Sequence, residues 1–220
     1  MINPRLGLIH RIGPLSVYRV DGNMVRKTDT NFTDFGHHHS FPKLIPKNEM
    51  WMDKTENPKE DGYFITHMLK EHSLMDKGMP YDKALDAANK VEHRERNRMS
   101  GKPPKKAEIG KKHIGTTKGG LKIHLVDGEQ VRHGIDPNFT EGGNDMADKY
   151  IPKGEVWLDN SNSPEEQKPN LLHELHERRI MKTKGLSYDA AHKKALVVEH
   201  NARNSPGTLD KRLGMELGQN

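Results

Sequence analysis

An internal repeat constrains the fold more than any other feature of this 220-residue chain. Trp51 is matched by Trp157 and His67 by His173, with nearly constant spacing along the two stretches. Four further pairs keep the same order: Phe32 and Phe139, Glu71 and Glu177, Tyr81 and Tyr188, and Glu92 and Glu199. Matching order and spacing over this length indicate a tandem duplication of one module.

The composition fits two small domains better than one large domain. Hydrophobic residues make up 32% of the chain and charged residues 30%, and small domains have more surface to cover per residue. We therefore predict a first module over residues 1–97, a basic linker over 98–120, a second module over 121–204 and a tail over 205–220. We expect the tail to be loosely held or to dock on a partner.

Each module has the predicted order β-β-β-α-α, which places the protein in the α+β class. In the second module, apolar and polar residues alternate on both sides of Asp127-Gly128, a dipeptide typical of two-residue hairpin turns. The apolar run at residues 156–158 predicts a third strand.

Two helices follow the strands of the second module. Ser163 is the expected N-cap of the first helix, Pro164 occupies its first position, and Glu166 completes a capping box three residues after the cap. Pro169 is expected to delay or kink this helix, so that its regular part begins near residue 169. Gly185 predicts the end of this helix, and Ser187 predicts the start of the second helix.

These two helices carry side chains that bind metals in other proteins. At helical spacing, His173, His176 and Glu177 fall on one side of the first helix. The second helix has its own such face, made of Tyr188, His192 and Glu199. A short turn would make the helices antiparallel, so that the faces oppose each other and offer nitrogen and oxygen ligands to zinc or another divalent metal.

The run "EVWLD" followed by the helix start "LLHEL" resembles the zincin-type metallopeptidases. The resemblance covers the third strand and both helices, and implies that His173 is a zinc ligand and Glu174 the general base for the attacking water. It also implies a third ligand from the later helix, for which His192 and Glu199 are candidates. The sequence departs from the family at the second histidine, where it has Glu177. The "HELHE" stretch is also similar to that of small phage-encoded proteins, some of them grouped with zincin-like domains.

The two copies differ at the positions that this chemistry needs. The first copy has Met68 in place of Glu174, and Leu85 in place of His192. Lys70 replaces His176, whereas His67, Glu71 and Glu92 are retained. We therefore predict a degenerate first module, in which the retained residues either form a scaffold left after chemistry was lost or do a structural job common to both copies.

Simpler interpretations of the helical pair stay open. A His–Glu pair at i, i+4 is a common surface contact worth a few tenths of a kcal/mol. The alternative to a metal site is a hydrogen-bonded network between the helices, with Tyr188 and Glu199 as partners. The tract His37–His39 is predicted to be an exposed loop, because three consecutive histidines cannot all face one ion. Trp51 and Trp157 are predicted to be core anchors.

Two functions from different classes are compatible with these features. The first is a metal-dependent hydrolase, a peptidase or amidase, with its site in the second module and zinc as the expected cofactor. The second is a non-enzymatic phage structural or assembly protein, whose tandem modules bind a protein or nucleic-acid partner. No phosphate-binding glycine motif supports a nucleic-acid enzyme.

The predicted linker supplies the candidate contacts to nucleic acid, in a chain whose net charge is +5. A flexible connection is its simpler interpretation. Its weak candidate phosphate ligands are Lys102, Lys105, Lys106, Lys111 and Lys112. The chain lacks an apolar run of about eighteen residues, and "MINPRLGLIHRIGP" has no signal-peptide core. We therefore expect no membrane partner and a location in the host cytoplasm or the virion.

Overall fold

The computed structural model describes residues 3–33, 35–39, 44–54, 57–205 and 207–220. Within those ranges it contains two four-stranded sheets and seven α-helices, which confirms the predicted α+β class in two modules. The first compact unit comprises Met1–Val25, Phe32–Ala107 and Glu129–Thr140. The second comprises Arg26–Asn31, Glu108–Gly128 and Glu141–Asn220. Each unit therefore consists mainly of one repeat and includes a short segment of the other.

The first repeat contributes four strands and three helices. The strands are β1 (Arg5–Ile12), β2 (Leu15–Val20), β3 (His37–His38) and β4 (Glu49–Asp53). The helices are α1 (Gly22–Arg26), α2 (Asp61–Met75) and α3 (Tyr81–Ser100). The sheet has the order β1-β2-β4-β3, with β2 and β4 parallel and the other pairs antiparallel.

The second repeat has the same element order and one additional helix. The strands are β5 (Lys111–Thr116), β6 (Lys122–Val126), β7 (Gly142–Asn144) and β8 (Glu155–Asp159). The helices are α4 (Gly128–Gly134), α5 (Pro164–Lys184), α6 (Tyr188–Asn204) and α7 (Thr208–Gln219). This sheet has the equivalent order β5-β6-β8-β7, again with one parallel pair, β6 and β8.

The predicted hairpin at Asp127-Gly128 was wrong, because this dipeptide ends β6 and begins α4. A Cβ at residue 128 would lie 2.0 Å from a carboxylate oxygen of Asp159. In the first unit, the backbone N–H of Gly22 donates a hydrogen bond to Oδ1 of Asp53, at 3.2 Å. Glycine is therefore required for close approach to a carboxylate at the end of the neighbouring strand, and not for a reversal of the chain.

The predicted linker and tail are both more ordered than the sequence suggested. Residues 111–116 of the predicted linker form β5, the edge strand that pairs with β6. The predicted tail folds into α7, whose Leu213 is buried against Leu172 and Leu175 of α5. The predicted order β-β-β-α-α therefore misses β5 and β7, treats the short helix α4 as a strand, and lacks the helix α7. The first repeat differs from the prediction in the same way at β1, β3 and α1.

The predicted first residue Pro164 and the predicted end of α5 are confirmed, but the capping box and the delay of the regular helix to residue 169 are wrong, since Pro169 lies inside the helix. Pro164 begins the helix after Ser163, and Gly185 ends it in the left-handed conformation with φ 62°. No side-chain hydrogen bond caps the first turn. Glu166 instead is buried in an ion pair with Arg203. The charge that the sequence assigned to a helix cap therefore belongs to the interior of the unit.

Each sheet packs its buried side chains against its own helices. In the first unit, Val17 and Met50 contact Phe64 of α2, and in the second unit Val156 contacts Leu172 of α5. Trp51 and Trp157 are buried on β4 and β8, which confirms them as core residues. Among the described helices, none combines the length and the apolar character that a membrane span requires.

Candidate metal centre

Helices α5 and α6 bring three potential metal ligands together in the second unit. His173 and Glu177 lie one turn apart on α5, and His192 lies in the first half of α6. Nε2 of His173 is 3.1 Å from Nδ1 of His192, which is 2.9 Å from Oε2 of Glu177. These three atoms form a triangle, which is called the triangle below. Its third side, from Nε2 of His173 to Oε2 of Glu177, measures 3.5 Å.

These separations match the spacing that a tetrahedral ion imposes on its ligands. Zinc ligands at about 2.0–2.1 Å from the ion lie about 3.3 Å from one another. The three atoms of this triangle are therefore already near coordinating distance, and the donor set is two imidazoles and one carboxylate.

Glu199 lies on the opposite side of the His173 ring. Its Oε2 is 2.9 Å from Nδ1 of His173, so the carboxylate accepts a hydrogen bond from that nitrogen and leaves Nε2 facing the triangle. Metal-ligating histidines are commonly oriented in this way by a carboxylate. The sequence proposed Glu199 as a ligand, whereas the structure places it where it orients His173.

A buried charge network holds Glu199 in turn. Nε of Arg203 donates to Oε1 of Glu199 at 2.8 Å, and Arg203 also pairs with Glu166 at 2.7 Å. Arg26, from the first repeat, reaches the same Glu166 carboxylate at 2.9 Å. Since Arg26 and Glu166 are almost completely buried, this network fixes the position of α6 against α5 near the triangle.

Glu174 follows His173 on α5 and is half-buried beside the triangle. The amide of Asn144, on β7, donates hydrogen bonds to Oε2 of Glu174 at 3.0 Å and to Oε1 of Glu177 at 2.9 Å. Burial and the negative charge of Glu177 raise the pKa of Glu174 to about 8. With this pKa the carboxyl group is mostly protonated at pH 7, and a divalent cation in the triangle would favour its ionised form, which is the form that can act as a base.

Two of the candidate ligands, His173 and Glu177, have pKa values shifted in opposite directions. Burial opposes protonation of His173, but its hydrogen bonds with Glu177 and Glu199 outweigh that effect and raise its pKa well above the usual value. Burial favours protonation of Glu177, but hydrogen bonds with His173 and His192 lower its pKa to about 2. A metal ion entering the triangle would therefore displace a proton from His173.

The triangle is open to solvent on the side of α6. The side chain of His192 is 35% exposed, whereas that of Glu177 is 2% exposed. Tyr188 stacks on the His192 ring with centroids 5.3 Å apart. Burial and the charge of Glu177 raise the pKa of the Tyr188 hydroxyl, which therefore stays protonated as a hydrogen-bond donor.

His176 is not part of this arrangement. Its Nδ1 lies 2.7 Å from Oε1 of Glu216 on α7, and Arg179 pairs with the same carboxylate. The sequence placed His176 on the metal-binding side of the helix because His173 lies three residues before it. The docking of α7, which was not predicted, gives His176 a separate partner.

The first unit has counterparts of His173 and of Glu199, which orients it, but has apolar residues in place of Glu174 and His192. Nδ1 of His67 is 2.8 Å from Oε2 of Glu92, and Arg96 pairs with Glu92 at 2.8 Å. Met68 and Leu85 stand where the second repeat has the candidate base and the ligand from α6. Among the described residues, the first unit therefore retains the pairs that involve His67 and Glu92 without a counterpart of the triangle in the second unit.

The His37–His39 tract is not the exposed loop that the sequence suggested. His38 is buried on β3, and its Nε2 lies 2.8 Å from Oε1 of Glu71. The strand register makes His38 the counterpart of Asn144, since their partners Met50 and Val156 occupy matched places on the two sheets.

Sequence reasoning missed four residues of the second site: Asn144, Glu166, Arg203 and Arg26. A signal existed for Arg203, because an arginine follows Glu92 and Glu199 by four residues in both repeats. No such signal existed for Asn144, since the repeats differ at that position. Arg26 and Glu166 have matched residues in the other repeat, but the match does not show that these two residues are partners, since they lie more than a hundred residues apart.

The lysines of the predicted linker differ in their surroundings. Lys111 lies on β5, pairs with Glu155 at 2.8 Å and approaches the Trp157 ring at 5.7 Å. Lys102, Lys106 and Lys112 are exposed. A contact with nucleic acid through these exposed lysines stays a prediction.

Comparison with known proteins supplies no family for this chain. No protein-family model, curated protein or solved structure matches it. Function therefore has to be argued from the site itself.

Proposed function

We propose that the second unit is a metal-dependent hydrolase that cleaves amide bonds and holds a zinc-like ion with His173, Glu177 and His192. The observation that carries this proposal is the triangle of ligand atoms, with sides of 2.9, 3.1 and 3.5 Å, beside a glutamate of raised pKa. The resemblance to zincin-type metallopeptidases supports the same reaction class.

The three candidate ligands are of the same types as those of the zincin pattern, although Glu177 replaces the second histidine of the helix. Catalytic zinc sites of this type are built from two histidines and one glutamate, with a further position left open. Here the same three ligand types occur with two places exchanged, because Glu177 takes the second helical position and His192 comes from α6. The net charge of the ligand set is therefore the one that zinc hydrolases use.

A divalent ion in this place would supply Lewis acidity that polarises the carbonyl of the substrate. Glu174 would take one proton from the attacking water and pass it to the leaving nitrogen as the C–N bond breaks, giving a carboxylic acid and an amine. Asn144 holds the Glu174 carboxylate in place. The protonated Tyr188 hydroxyl is the candidate donor to the carbonyl oxygen.

Metal content tests the first half of the proposal. The chain is purified without a metal-affinity tag, supplied with zinc, freed of excess ion and measured by elemental analysis. His192→Leu, which copies Leu85 of the first repeat, is expected to lower the bound zinc by about one equivalent per chain. The matched pair His173→Gln and His67→Gln supplies the control, since only the first of these is expected to lose zinc.

Hydrolysis tests the second half. The wild-type chain is incubated with a mixture of peptides and the products are identified by mass spectrometry. Glu174→Gln is expected to retain zinc and to lower the rate of cleavage by about 100-fold or more. Zinc binding without cleavage by the wild type would overturn the hydrolase and favour a metal-stabilised assembly or binding protein. Zinc content that His192→Leu leaves unchanged would overturn the metal site itself.

A further inference from the structure

A second group of potential metal ligands lies in the first unit, away from His67. It consists of His39, directly after β3, and of His72 and Asp76, one turn apart at the end of α2. One ligand atom from each residue lies within 4.8 Å of the others. These three residues are called the His39 cluster below.

Two distances in the His39 cluster, each from an imidazole nitrogen to a different oxygen of Asp76, are those expected between ligands of one ion. Nε2 of His39 lies 3.3 Å from Oδ1 of Asp76, and Nδ1 of His72 lies 3.3 Å from Oδ2 of the same carboxylate. The two imidazole rings meet edge-on with centroids 4.3 Å apart. Charge-assisted hydrogen bonds are shorter, at about 2.7–2.9 Å, whereas tetrahedral ligands of zinc lie about 3.3 Å apart.

The His39 cluster is also accessible to a metal ion. The side chain of Asp76 is 46% exposed, so an ion can enter from solvent, while those of His39 and His72 are 20% and 12% exposed.

At the matched positions the second unit has an ion pair in place of the His39 cluster. The residues matched to His39 and His72 are Asp145 and Arg178, and Nε of Arg178 donates to Oδ1 of Asp145 at 2.5 Å. This ion pair ties the residue after β7 to α5. In the first unit the same link is made by two histidines, which are joined by Asp76 where the second repeat has Lys182. The change removes a salt bridge and creates a set of ligands.

We propose that the His39 cluster binds a divalent transition-metal ion, of the zinc, nickel or copper type, that ties the end of β3 to α2 as the Asp145–Arg178 ion pair does in the second unit. Two imidazoles and a carboxylate favour these ions over magnesium or calcium. The ion has a structural role, and the proposal does not depend on hydrolysis by the second unit.

The experiment uses the full chain carrying His192→Leu, which disables the other triangle, and Trp157→Phe, which leaves Trp51 as the fluorescent reporter of the first unit. Zinc sulfate is added, and bound zinc and the unfolding temperature are measured. About one equivalent of zinc and a rise of the Trp51 transition by several degrees are expected.

The matched control is His39→Asp combined with His72→Arg, which copies the ion pair of the second unit. This variant is expected to fold without added metal, to bind no zinc and to show no shift of the Trp51 transition. Asp76→Asn is expected to weaken zinc binding at least tenfold. Absence of zinc binding in the His192→Leu background, or zinc binding that survives the double substitution, would overturn the proposal.

Discussion

His67 in the first unit and His173 in the second have almost the same surroundings, although only one of them belongs to a three-ligand triangle. The distances from Nδ1 to the orienting glutamate are 2.8 and 2.9 Å. Those from Nε2 to the glutamate one turn later are 3.4 and 3.5 Å. A His–Glu pair at helical spacing is therefore part of the scaffold of this fold, and is not by itself a sign of a metal.

The residues that distinguish the two sites are few. Glu174 and His192 in the second unit correspond to Met68 and Leu85 in the first, so an acid and an imidazole are exchanged for two apolar side chains. The charged residues that both repeats share, such as Glu92 and Glu199, are buried. Removing one member of a buried ion pair leaves the other without a partner, which costs about 3–5 kcal/mol.

The largest expected effect concerns the arginines that each repeat contributes to the unit formed mainly by the other. Arg132→Leu is expected to destabilise the first unit by about 3–5 kcal/mol, because Glu60, buried with it, loses one of its charged partners. Arg26→Leu is expected to affect the second unit in the same way. Urea unfolding, followed by Trp51 in a Trp157→Phe background and by Trp157 in a Trp51→Phe background, separates the two units.

Equal loss of stability from both variants would support a scaffold common to the two units. The comparison fails if Arg132→Leu leaves the Trp51 transition in place, since Glu60 would then not need that arginine.

The pH dependence of the first unit gives the next largest effect. Burial opposes protonation of His67, but hydrogen bonds with Glu71 and Glu92 outweigh it and raise its pKa from 6.5 to about 9. A raised pKa stabilises the fold fully below pH 6.5, and this stabilisation is lost as the pH rises through 9. The loss is expected to be on the order of 3 kcal/mol.

Urea unfolding of the Trp51 unit at several pH values between 6 and 10 measures this loss. His67→Gln is the control and is expected to remove most of the slope. A wild-type stability that stays constant over this pH range would contradict the ion-pair role of His67.

The smallest expected effect is on zinc affinity in the second unit, and it shows whether Glu199 orients His173 or binds the ion itself. Glu199→Gln weakens the hold on Nδ1 of His173 and is expected to lower zinc affinity about 10–100-fold, as is usual for residues that orient a ligand. Glu92→Gln makes the same change in the first unit and is expected to leave this affinity unchanged. Competition against a chelator in a His39→Asp, His72→Arg background measures the second site alone.

A complete loss of zinc binding in Glu199→Gln would indicate that Glu199 is itself a ligand. An equal loss in Glu92→Gln would indicate that the effect arises from general destabilisation of the chain.

Much of the fold was predictable from patterns local to one helix or strand. The start of α5 at Pro164, its end at Gly185 and the strand around Trp157 were confirmed because capping, turn and alternation signals depend on neighbouring residues. The Asp127-Gly128 dipeptide misled because its local signal fits a hairpin, while the contact that requires glycine comes from Asp159. The position of β5 was missed because its Lys-rich sequence is typical of a linker.

The sequence by itself determined that the chain is a duplication, that His173 and Glu177 share one side of a helix, and that only the second copy carries Glu174 and His192. The regular period of a helix fixes such relations before any packing occurs. Only the tertiary structure decided that Glu199 orients His173, that His176 turns to Glu216, and that Arg26 joins the network of the second unit. These contacts depend on how separate elements dock, which the spacing along the chain does not specify.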